Sequence, residues 1–338
     1  MTDFLLCTDL ESTFGTARLI RMRALARALS RKGHTFVLAA RGLHEGIGGL
    51  DPAWKFVPVT DDYDGTAFLA LARQHRAKMM ILDLPQYGVE TLAAWHAEYC
   101  LAVYDEEQAR SLPADLVINP RPDWHPVAPG YGQLVLGGPE YALVEEPADI
   151  HVCHLWCKMP TIAIATWLHD PEDLTSRAVH WLSVVDSSLE VTVLVGPEYR
   201  YHDVLADVLS TRYANVTVQT DLTDLPRTLL EHRAAIASEG TLLYQLAALG
   251  IPTIGLMRDH RPEPISRMLI EKGAALGITT AEAERGGLAP LLDLVLYDER
   301  ARTQMSAAGR AMIDGCGAER VVQAMEHMLG QCPHRAVA

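Results

Sequence analysis

Short apolar runs alternate with segments of helical periodicity from one end of the chain to the other. The run FLLCT (4–8) is followed by a glycine-containing loop and by a helical pattern at 17–33, in which apolar residues recur every three or four positions until Gly33. This alternation is typical of βα units, whose strands form parallel sheets covered by helices. The sequence therefore predicts an α/β fold.

The apolar runs fall into two series. The first series lies at 4–8, 34–40, 79–83, 100–105 and 115–119, and the second at 161–167, 191–196, 215–220, 234–238 and 252–256. A proline- and glycine-rich stretch separates them, and a chain of 338 residues exceeds the roughly 250–300 residues at which one core stops growing. We predict two doubly wound, Rossmann-like domains, 1–150 and 151–338, that face each other across a cleft. The helical segment at 301–329 is expected to pack back on the first domain.

Charge and composition narrow the range of partners. The chain has 29 Lys and Arg against 43 Asp and Glu, and its formal net charge of −14 disfavours binding to nucleic acid. Its start has no basic region, and its longest apolar stretch (234–257) contains Glu239, so we predict neither a signal peptide nor a transmembrane helix. Six scattered cysteines indicate reduced thiols. We expect a cytoplasmic protein without a bound cofactor.

One segment, HVCHLWC (151–157), carries two histidines and two cysteines within seven residues. Structural zinc sites combine ligand pairs from two separate segments, and this sequence offers no evident remote pair. The alternative to a metal site is a partly buried connection between the domains. The spacing favours the connection, and no metal site is predicted.

The loops at the carboxyl ends of the strands carry the candidate site, because open α/β sheets bind their ligands there. In the first of these loops, Gly15 and Thr16 precede a helix, and helix N-termini attract anions. Arg18 and Arg21 share one face of that helix. Contact with a phosphate or carboxylate is one interpretation of this pair, and a solvated helix face is the other.

A second strand-to-helix loop has the same character. Its residues Ser238, Gly240 and Thr241 are small enough for a ligand to approach the backbone. Glu239 lies between them, where a carboxylate either competes with a phosphate for backbone donors or acts as a helix cap. The loop therefore predicts a ligand-binding position with the negative charge of Glu239 beside it.

A further loop places His169 next to Asp170. The pair could provide a base with an orienting carboxylate, or the loop could simply cap a helix. The sequence contains no Gly-x-Ser-x-Gly elbow, no P-loop and no His-Glu-x-x-His motif. Motifs alone therefore name no reaction.

Several segments in a fixed order together resemble one protein family. They are FGTARLIRMRALA, LDLPQYGV, VYDEE, ADLVINP, LGGPEYALV, TWLHDPEDLT and EGTLLYQLAALGIPTI. On these segments the chain resembles the UDP-sugar hydrolases of pseudaminic acid biosynthesis and the related spore-coat polysaccharide synthesis proteins. The resemblance implies the two-domain GT-B fold of the peptidoglycan GlcNAc transferase. It also implies that the first domain holds the acceptor or sugar and the second holds the nucleotide.

The first loop departs from the family pattern Gly-x-Gly-His-x-x-Arg, in which the His activates water. Gly15 and Arg21 match this pattern, but Ala17 and Arg18 stand where the second Gly and the His would be. Arginine stays protonated near neutral pH, so it cannot act as the base. The resemblance therefore implies a nucleotide-sugar site with an altered activating step.

At other positions of the family pattern, this chain has either the family's residue or a different one. Tyr87 matches a tyrosine that the family places in the cleft, and Asp105 begins the acidic pair after a strand. Gln245 replaces a Glu that binds the nucleotide ribose in the wider fold, although an amide still donates and accepts hydrogen bonds. Arg261 and Pro262 occupy the places of an Asn-Gln pair that is common in the family. By resemblance, the candidate site residues are Tyr87, Asp105, Gln245 and Arg261.

Two functions of different classes remain open. In the first, the chain cleaves or transfers the glycosyl group of a UDP-linked sugar. Arg18 and Arg21 stabilise the leaving diphosphate, and His169 or Asp105 activates water or an acceptor. In the second, the chain is a catalytically silent relative that binds a sugar nucleotide, a glycan intermediate or a partner enzyme, which the missing His and Glu239 favour. A carboxylate-bearing substrate of another reaction is a third hypothesis.

Overall fold

The chain forms two compact units in the computed structural model. The model describes residues 2–11, 15–42, 50–60, 65–106, 111–125, 133–145, 160–166, 170, 172–186, 188–196, 199–212, 215–220, 223–257 and 263–331. The first unit comprises residues 1–145 and 316–338, and the second comprises residues 146–315. Each unit is built on its own parallel sheet.

Within the described residues, the first unit contains a seven-stranded parallel sheet. Its strands are β1 (Thr2–Asp9), β2 (Phe36–Arg41), β3 (Lys55–Val59), β4 (Ala77–Asp83), β5 (Cys100–Tyr104), β6 (Leu116–Asn119) and β7 (Leu134–Gly137). They lie in the order β3-β2-β1-β4-β5-β6-β7, and the register pairs Thr8 of β1 with Asp83 of β4. The first six positions follow the doubly wound order, whose topological switch point lies between β1 and β4.

Helices cover both faces of this sheet. They are α1 (Gly15–Arg31), α2 (Thr66–His75), α3 (Val89–Glu98), a 3-10 helix (Pro139–Tyr141) and, after the second unit, α12 (Gly317–Gln331). Alternate residues of β1 point to opposite faces. Phe4 and Leu6 pack with α1 and α12, whereas Leu5 and Cys7 pack with α2 and α3. Burial on both faces explains why the strands are continuous apolar runs in the sequence.

Helix α12 completes the core of the first unit. It packs against α1, β5 and β6, and it contributes Val321, Val322 and Met325 to the core. Its first residue, Gly317, lies against the backbone of Ala142, where a Cβ atom would fall far inside van der Waals contact with the carbonyl oxygen. The helix can therefore start at this point only with glycine.

The described residues of the second unit form a six-stranded parallel sheet. Its strands are β8 (Thr161–Ala165), β9 (Glu190–Leu194), β10 (Val216–Gln219), β11 (Ala234–Ser238), β12 (Thr253–Met257) and β13 (Leu276–Thr279). The order β10-β9-β8-β11-β12-β13 repeats the winding of the first sheet, with the switch point between β8 and β11. Its helices are α4 (Leu174–Val185), α5 (His202–Arg212), α6 (Leu225–Leu230), α7 (Thr241–Leu249), α8 (Pro264–Glu271), α9 (Thr280–Glu284), α10 (Leu288–Leu296) and α11 (Glu299–Met312).

The two sheets confirm the predicted α/β class and its two doubly wound units. Across the described ranges, no helix is long and apolar enough to cross a membrane. The same ranges hold no group of three His, Cys, Asp or Glu side chains suited to a metal ion. The HVCHLWC segment lies outside the described residues, so its two interpretations stay predictions.

Candidate active site

The candidate residues of the first unit lie at its topological switch point, where doubly wound sheets bind ligands. Strand β1 ends at Asp9, β4 ends at Asp83, and β5 is followed by Asp105. Helix α1 begins after the β1 loop and brings Arg18 and Arg21 to this edge of the sheet. Charged side chains from four elements therefore meet at one edge.

Arg21 is held by two carboxylates and a ring. Its Nε and Nη2 donate to Asp83 Oδ2 and Oδ1 at 2.8 and 3.0 Å, and its Nη1 lies 3.5 Å from Glu106 Oε2. The guanidinium carbon is 4.6 Å from the ring centroid of Tyr104. Burial alone would lower the pKa of Arg21, but the charges of Asp83 and Glu106 raise it further than burial lowers it. Arg21 is therefore a fixed cation whose fork is already engaged.

Arg18 lies beside the same carboxylate, but its contacts offset the burial of its positive charge less fully than those of Arg21 do. Its side chain is 7% exposed, and within the described part of the chain its hydrogen bond goes from Nη1 to the carbonyl oxygen of Asp9, at 3.1 Å. Its Nε is 3.8 Å from Asp83 Oδ1, a carboxylate that Arg21 already binds. Burial lowers the pKa of Arg18, and the nearby carboxylates offset this only in part. Of the two arginines, Arg18 has the greater capacity for an additional anion.

Asp9 links three strand ends. Its Oδ1 accepts from the backbone N–H of Glu11 at 3.0 Å, and its Oδ2 accepts from Arg41 Nη1 at 3.4 Å and Gln86 Nε2 at 3.2 Å. Arg41 ends β2, and Gln86 follows β4. The network holds the loops around Arg18 in place.

Sequence reasoning missed Asp9, Arg41 and Asp83. Each is the charged last residue of an apolar strand. A charge in that position lies at the carboxyl edge of a parallel sheet, so the sequence did contain a usable signal for all three.

The remaining predicted residues of the first unit occupy two environments. Asp105 is buried just past β5, and its backbone N–H donates to the carbonyl oxygen of Ile118 at 2.9 Å. Tyr87 is 4% exposed, and its ring packs 5.2 Å from that of Trp95 in the core on the α2 and α3 side. Asp105 is thus placed at the edge that carries Arg21, whereas the Tyr87 ring packs in the apolar core. Gly15 and Thr16 form the first two residues of α1.

In the second unit, the predicted residues surround the start of α7 at the other switch point. Ser238 ends β11, and Gly240 caps α7 with a φ of 118°, a conformation that favours glycine. Thr241 begins the helix and Gln245 follows one turn later, and both are buried. The first turn of α7 contains no acidic residue. The small residues thus lie at a helix start whose N-cap residue, Gly240, has no side chain to cap it, and this combination suits contact with an anion.

Glu239 reaches from this loop to the next helix. Its Oε1 accepts from the backbone N–H of Glu263, the N-cap residue of α8, at 2.8 Å, and the residue is 5% exposed. The carboxylate therefore contacts the start of α8. Arg261 lies outside the described residues, so its role stays a prediction.

The loop after β8 is organised by two aspartates in left-handed conformations. Asp170 has a φ of 34°, and its carboxylate accepts from the backbone N–H groups of Leu174 and Thr175 at 2.9 and 2.7 Å. Asp173, with a φ of 50°, accepts from the hydroxyl of Tyr199 at 2.8 Å. Burial raises the pKa of Asp170 despite its hydrogen bonds. The carboxylate of Asp170 thus caps the start of α4, while His169 lies outside the described residues.

Comparison with known sequences gives partial matches. No protein-family model matches the chain. The UDP-N-acetylglucosamine--N-acetylmuramyl-(pentapeptide) pyrophosphoryl-undecaprenol N-acetylglucosamine transferase of Leuconostoc citreum (strain KM20) is 29% identical over 143 residues, which are 37% of this chain and 38% of that protein. The uncharacterized protein MJ1062 of Methanocaldococcus jannaschii is 26% identical over 102 residues, which are 29% of this chain and 21% of that protein. The chain therefore matches less than half the length of each of these relatives.

Comparison with solved structures covers nearly the whole chain. S. aureus MnaA, solved with UDP, has a TM-score of 0.65 at 14% identity, covering 98% of this chain and 97% of that one. Acinetobacter baumannii MurG has a TM-score of 0.60 at 14% identity, covering 96% and 100%. The glycosyltransferase VinC, in complex with dTDP, has a TM-score of 0.61 at 16% identity, covering 97% and 100%.

These structures share two parallel-sheet α/β domains, and they define the class of this chain as the GT-B fold, as the sequence predicted. The narrower resemblance to the UDP-sugar hydrolases and spore-coat proteins stays a prediction.

Proposed function

We propose that the chain processes a nucleotide sugar in glycan biosynthesis, cleaving or transferring its glycosyl group with loss of the nucleotide. The observation that carries the proposal is the buried guanidinium of Arg18 near the start of α1, next to a carboxylate that Arg21 already binds. A fixed, partly compensated cation stabilises the negative charge that develops on a departing phosphate. Arg21 holds Asp83 in place and adds its own positive charge.

The nucleotide is proposed to bind at the start of α7. Ser238, Gly240 and Thr241 offer close approach to the backbone, and Gln245 and Arg261 are the proposed polar contacts. The Leuconostoc relative is named for UDP-N-acetylglucosamine, and the MnaA and VinC structures contain UDP and dTDP. A UDP-linked sugar is therefore the first donor to test.

The group that activates water or an acceptor must be a residue other than Arg18, because arginine holds its proton. We propose His169, which precedes Asp170 in the sequence, or Asp105, at the edge that carries Arg21. Hydrolysis and transfer both need such a base and the same stabilised leaving group. The proposal therefore covers both reactions.

Substitution of Arg18 tests the proposal. Arg18→Ala is expected to lower the rate of nucleotide release from the donor by about 10²–10³, because a charge that stabilises the leaving group is lost. Arg31→Ala is the matched control, since Arg31 lies on the same helix with a side chain that is 53% exposed. Chromatography of the released nucleotide measures both rates. Equal rates in Arg18→Ala and the wild type would remove Arg18 from the mechanism.

The alternative function is that of a silent binding protein. It is favoured by two observations: Arg18 stands at the family's His position, and the carboxylate of Glu239 lies at the start of α8. A nucleotide or nucleotide sugar that raises the melting temperature without any turnover would support this alternative.

A further inference from the structure

Thr8 carries a buried hydroxyl near the carboxyl end of β1, at the same sheet edge as the arginines of the proposed site. Its side chain is fully buried, and its Oγ1 has no hydrogen-bond partner among the described residues. A buried hydroxyl without a partner is unfavourable, and valine has nearly the same shape without a hydroxyl. The stability of the fold therefore does not explain a threonine at this position.

Strand register places Thr8 beside Asp83. On the face of the sheet that α1 covers, β1 and β4 pair three times, as Phe4 with Met79, Leu6 with Ile81 and Thr8 with Asp83. The first two pairs pack against α1, and the third lies where Arg18 and Arg21 of α1 approach the Asp83 carboxylate. Neighbouring strands are about 4.8 Å apart, so the side chains of Thr8 and Asp83 lie side by side.

The carboxylate of Asp83 has room for a further hydrogen bond. Both hydrogen bonds that it accepts from the described residues come from Arg21, whereas a carboxylate has about four acceptor positions. Arg18 adds a charge contact, because 3.8 Å between its Nε and Asp83 Oδ1 is too long for a hydrogen bond. The buried carboxylate would lose this contact if Arg18 turned toward a ligand, and the loss would be unfavourable.

From this arrangement we infer that Thr8 is a positioning residue, whose hydroxyl donates to Asp83 when Arg18 turns from that carboxylate toward the departing phosphate. The inference rests on the proposed function and adds a residue to the same site. A hydrogen bond to a charged acceptor is strong, so it offsets the lost charge contact at Asp83. Thr8 thereby lowers the free energy needed to move Arg18 to the phosphate.

The test replaces Thr8 by valine, which removes the hydroxyl, and by serine, which keeps it. Release of nucleotide from a UDP-linked sugar gives kcat and KM, calorimetry gives the affinities for UDP and uridine, and the melting temperature without ligand reports on stability. Thr253→Val is the matched control. Thr253 is also a buried strand threonine, but its hydroxyl donates to the carbonyl oxygen of Ile251 at 2.8 Å.

Thr8→Val is expected to melt no lower than the wild type, since no hydrogen bond is lost. Its kcat is expected to fall about tenfold, with KM changed by less than about threefold, because the hydroxyl acts as the phosphate departs. Affinity for UDP, which carries the departed charge, is expected to fall about tenfold, and affinity for uridine is expected to stay unchanged. Thr8→Ser is expected to keep kcat within about threefold of the wild type. Thr253→Val is expected to melt lower with an unchanged kcat.

A double-mutant cycle separates a role through Arg18 from a general effect on packing. In the Arg18→Ala background, Thr8→Val is expected to change kcat by less than about twofold, because no guanidinium then leaves Asp83. A full additive loss in that background overturns the inference and leaves the proposed function intact. A clearly lower melting temperature of Thr8→Val, or its failure to fold, does the same. A folded wild type that neither releases nucleotide nor binds UDP overturns the proposed function, and the inference with it.

Discussion

Arg18 and Arg21 lie three residues apart on α1, yet their surroundings differ. Arg21 donates two hydrogen bonds to Asp83 and lies over the ring of Tyr104. Arg18 donates to the backbone carbonyl of Asp9, and its Nε is 3.8 Å from Asp83 Oδ1. The residue with the more engaged charge is better suited to hold the structure, and the other is better suited to meet a ligand. Helical spacing places the two residues on one face of α1 and predicts no difference between them. Only their contacts in the folded structure distinguish them.

Arg21→Ala is expected to lower the free energy of unfolding by about 3 kcal/mol or more, because the buried carboxylate of Asp83 loses its bidentate partner. The measurement is urea unfolding, with hydrogen exchange in β1 and β4 reporting on the first unit. The control is Arg73→Ala, which breaks an exposed pair with Glu98 and should barely move the urea midpoint. Similar shifts in the two variants would contradict a structural role for the Arg21–Asp83 pair.

Asp3 makes the stability of the first unit depend on pH. Burial alone would raise the pKa of Asp3, but hydrogen bonds from Lys78 and Thr35 outweigh it and lower the pKa to about 2 from an unfolded value of 3.8. The folded state therefore binds this proton less readily than the unfolded state does. The stability that Asp3 contributes is present above the unfolded pKa and is lost as pH falls toward 2.

Asp3→Asn is accordingly expected to lose about 1–2 kcal/mol of unfolding free energy at neutral pH, after allowance for screening of the partly exposed side chain. The difference from the wild type should shrink as pH falls below the unfolded pKa. Urea unfolding over a pH series measures it, with the exposed Asp293→Asn as the control. A difference that does not depend on pH would show that the Asp3 charge is not the cause.

At the scale of elements, the packing of α12 depends on the residue at one position, Gly317, where the helix starts. The helix starts at Gly317 against the carbonyl of Ala142, and it then buries Val321 and Met325 in the core of the first unit. In the sequence, Gly315 to Gly317 interrupts a helical pattern and indicates a break. The structure adds that Gly317 is required by a close approach of two backbones.

Gly317→Ala is expected to destabilise the first unit by about 1–3 kcal/mol, because the added methyl group forces α12 away from residue 142. Gly330→Ala is the matched control on the same helix, since a Cβ atom there meets nothing within 4 Å. That substitution is expected to be neutral or stabilising by up to about 1 kcal/mol, as alanine is the better helix former. Urea unfolding of the two variants compares them, and equal stability would refute the packing argument.

At the scale of the whole molecule, two sheets repeat one winding, and the candidate residues of each unit follow the strands at its switch point. Asp9, Arg18 and Asp83 belong to the first sheet edge, and Ser238 and Gly240 belong to the second. The edge location could be predicted, because each of these residues either ends an apolar strand or lies in the loop or helix that comes after one. The partners could not be predicted: Arg21 and Asp83 are 62 residues apart, and Tyr87 has an environment that its sequence neighbours do not reveal.

The sequence by itself determined the α/β class, the two doubly wound units and the loops that carry the candidate site. It did so because strand and helix periodicity and burial on both sheet faces are written in the local order of apolar residues. Tertiary structure alone decided that Arg21 binds Asp83 and that Glu239 contacts the start of α8. These pairings depend on strand register and on the distances between helix ends, and local periodicity encodes neither.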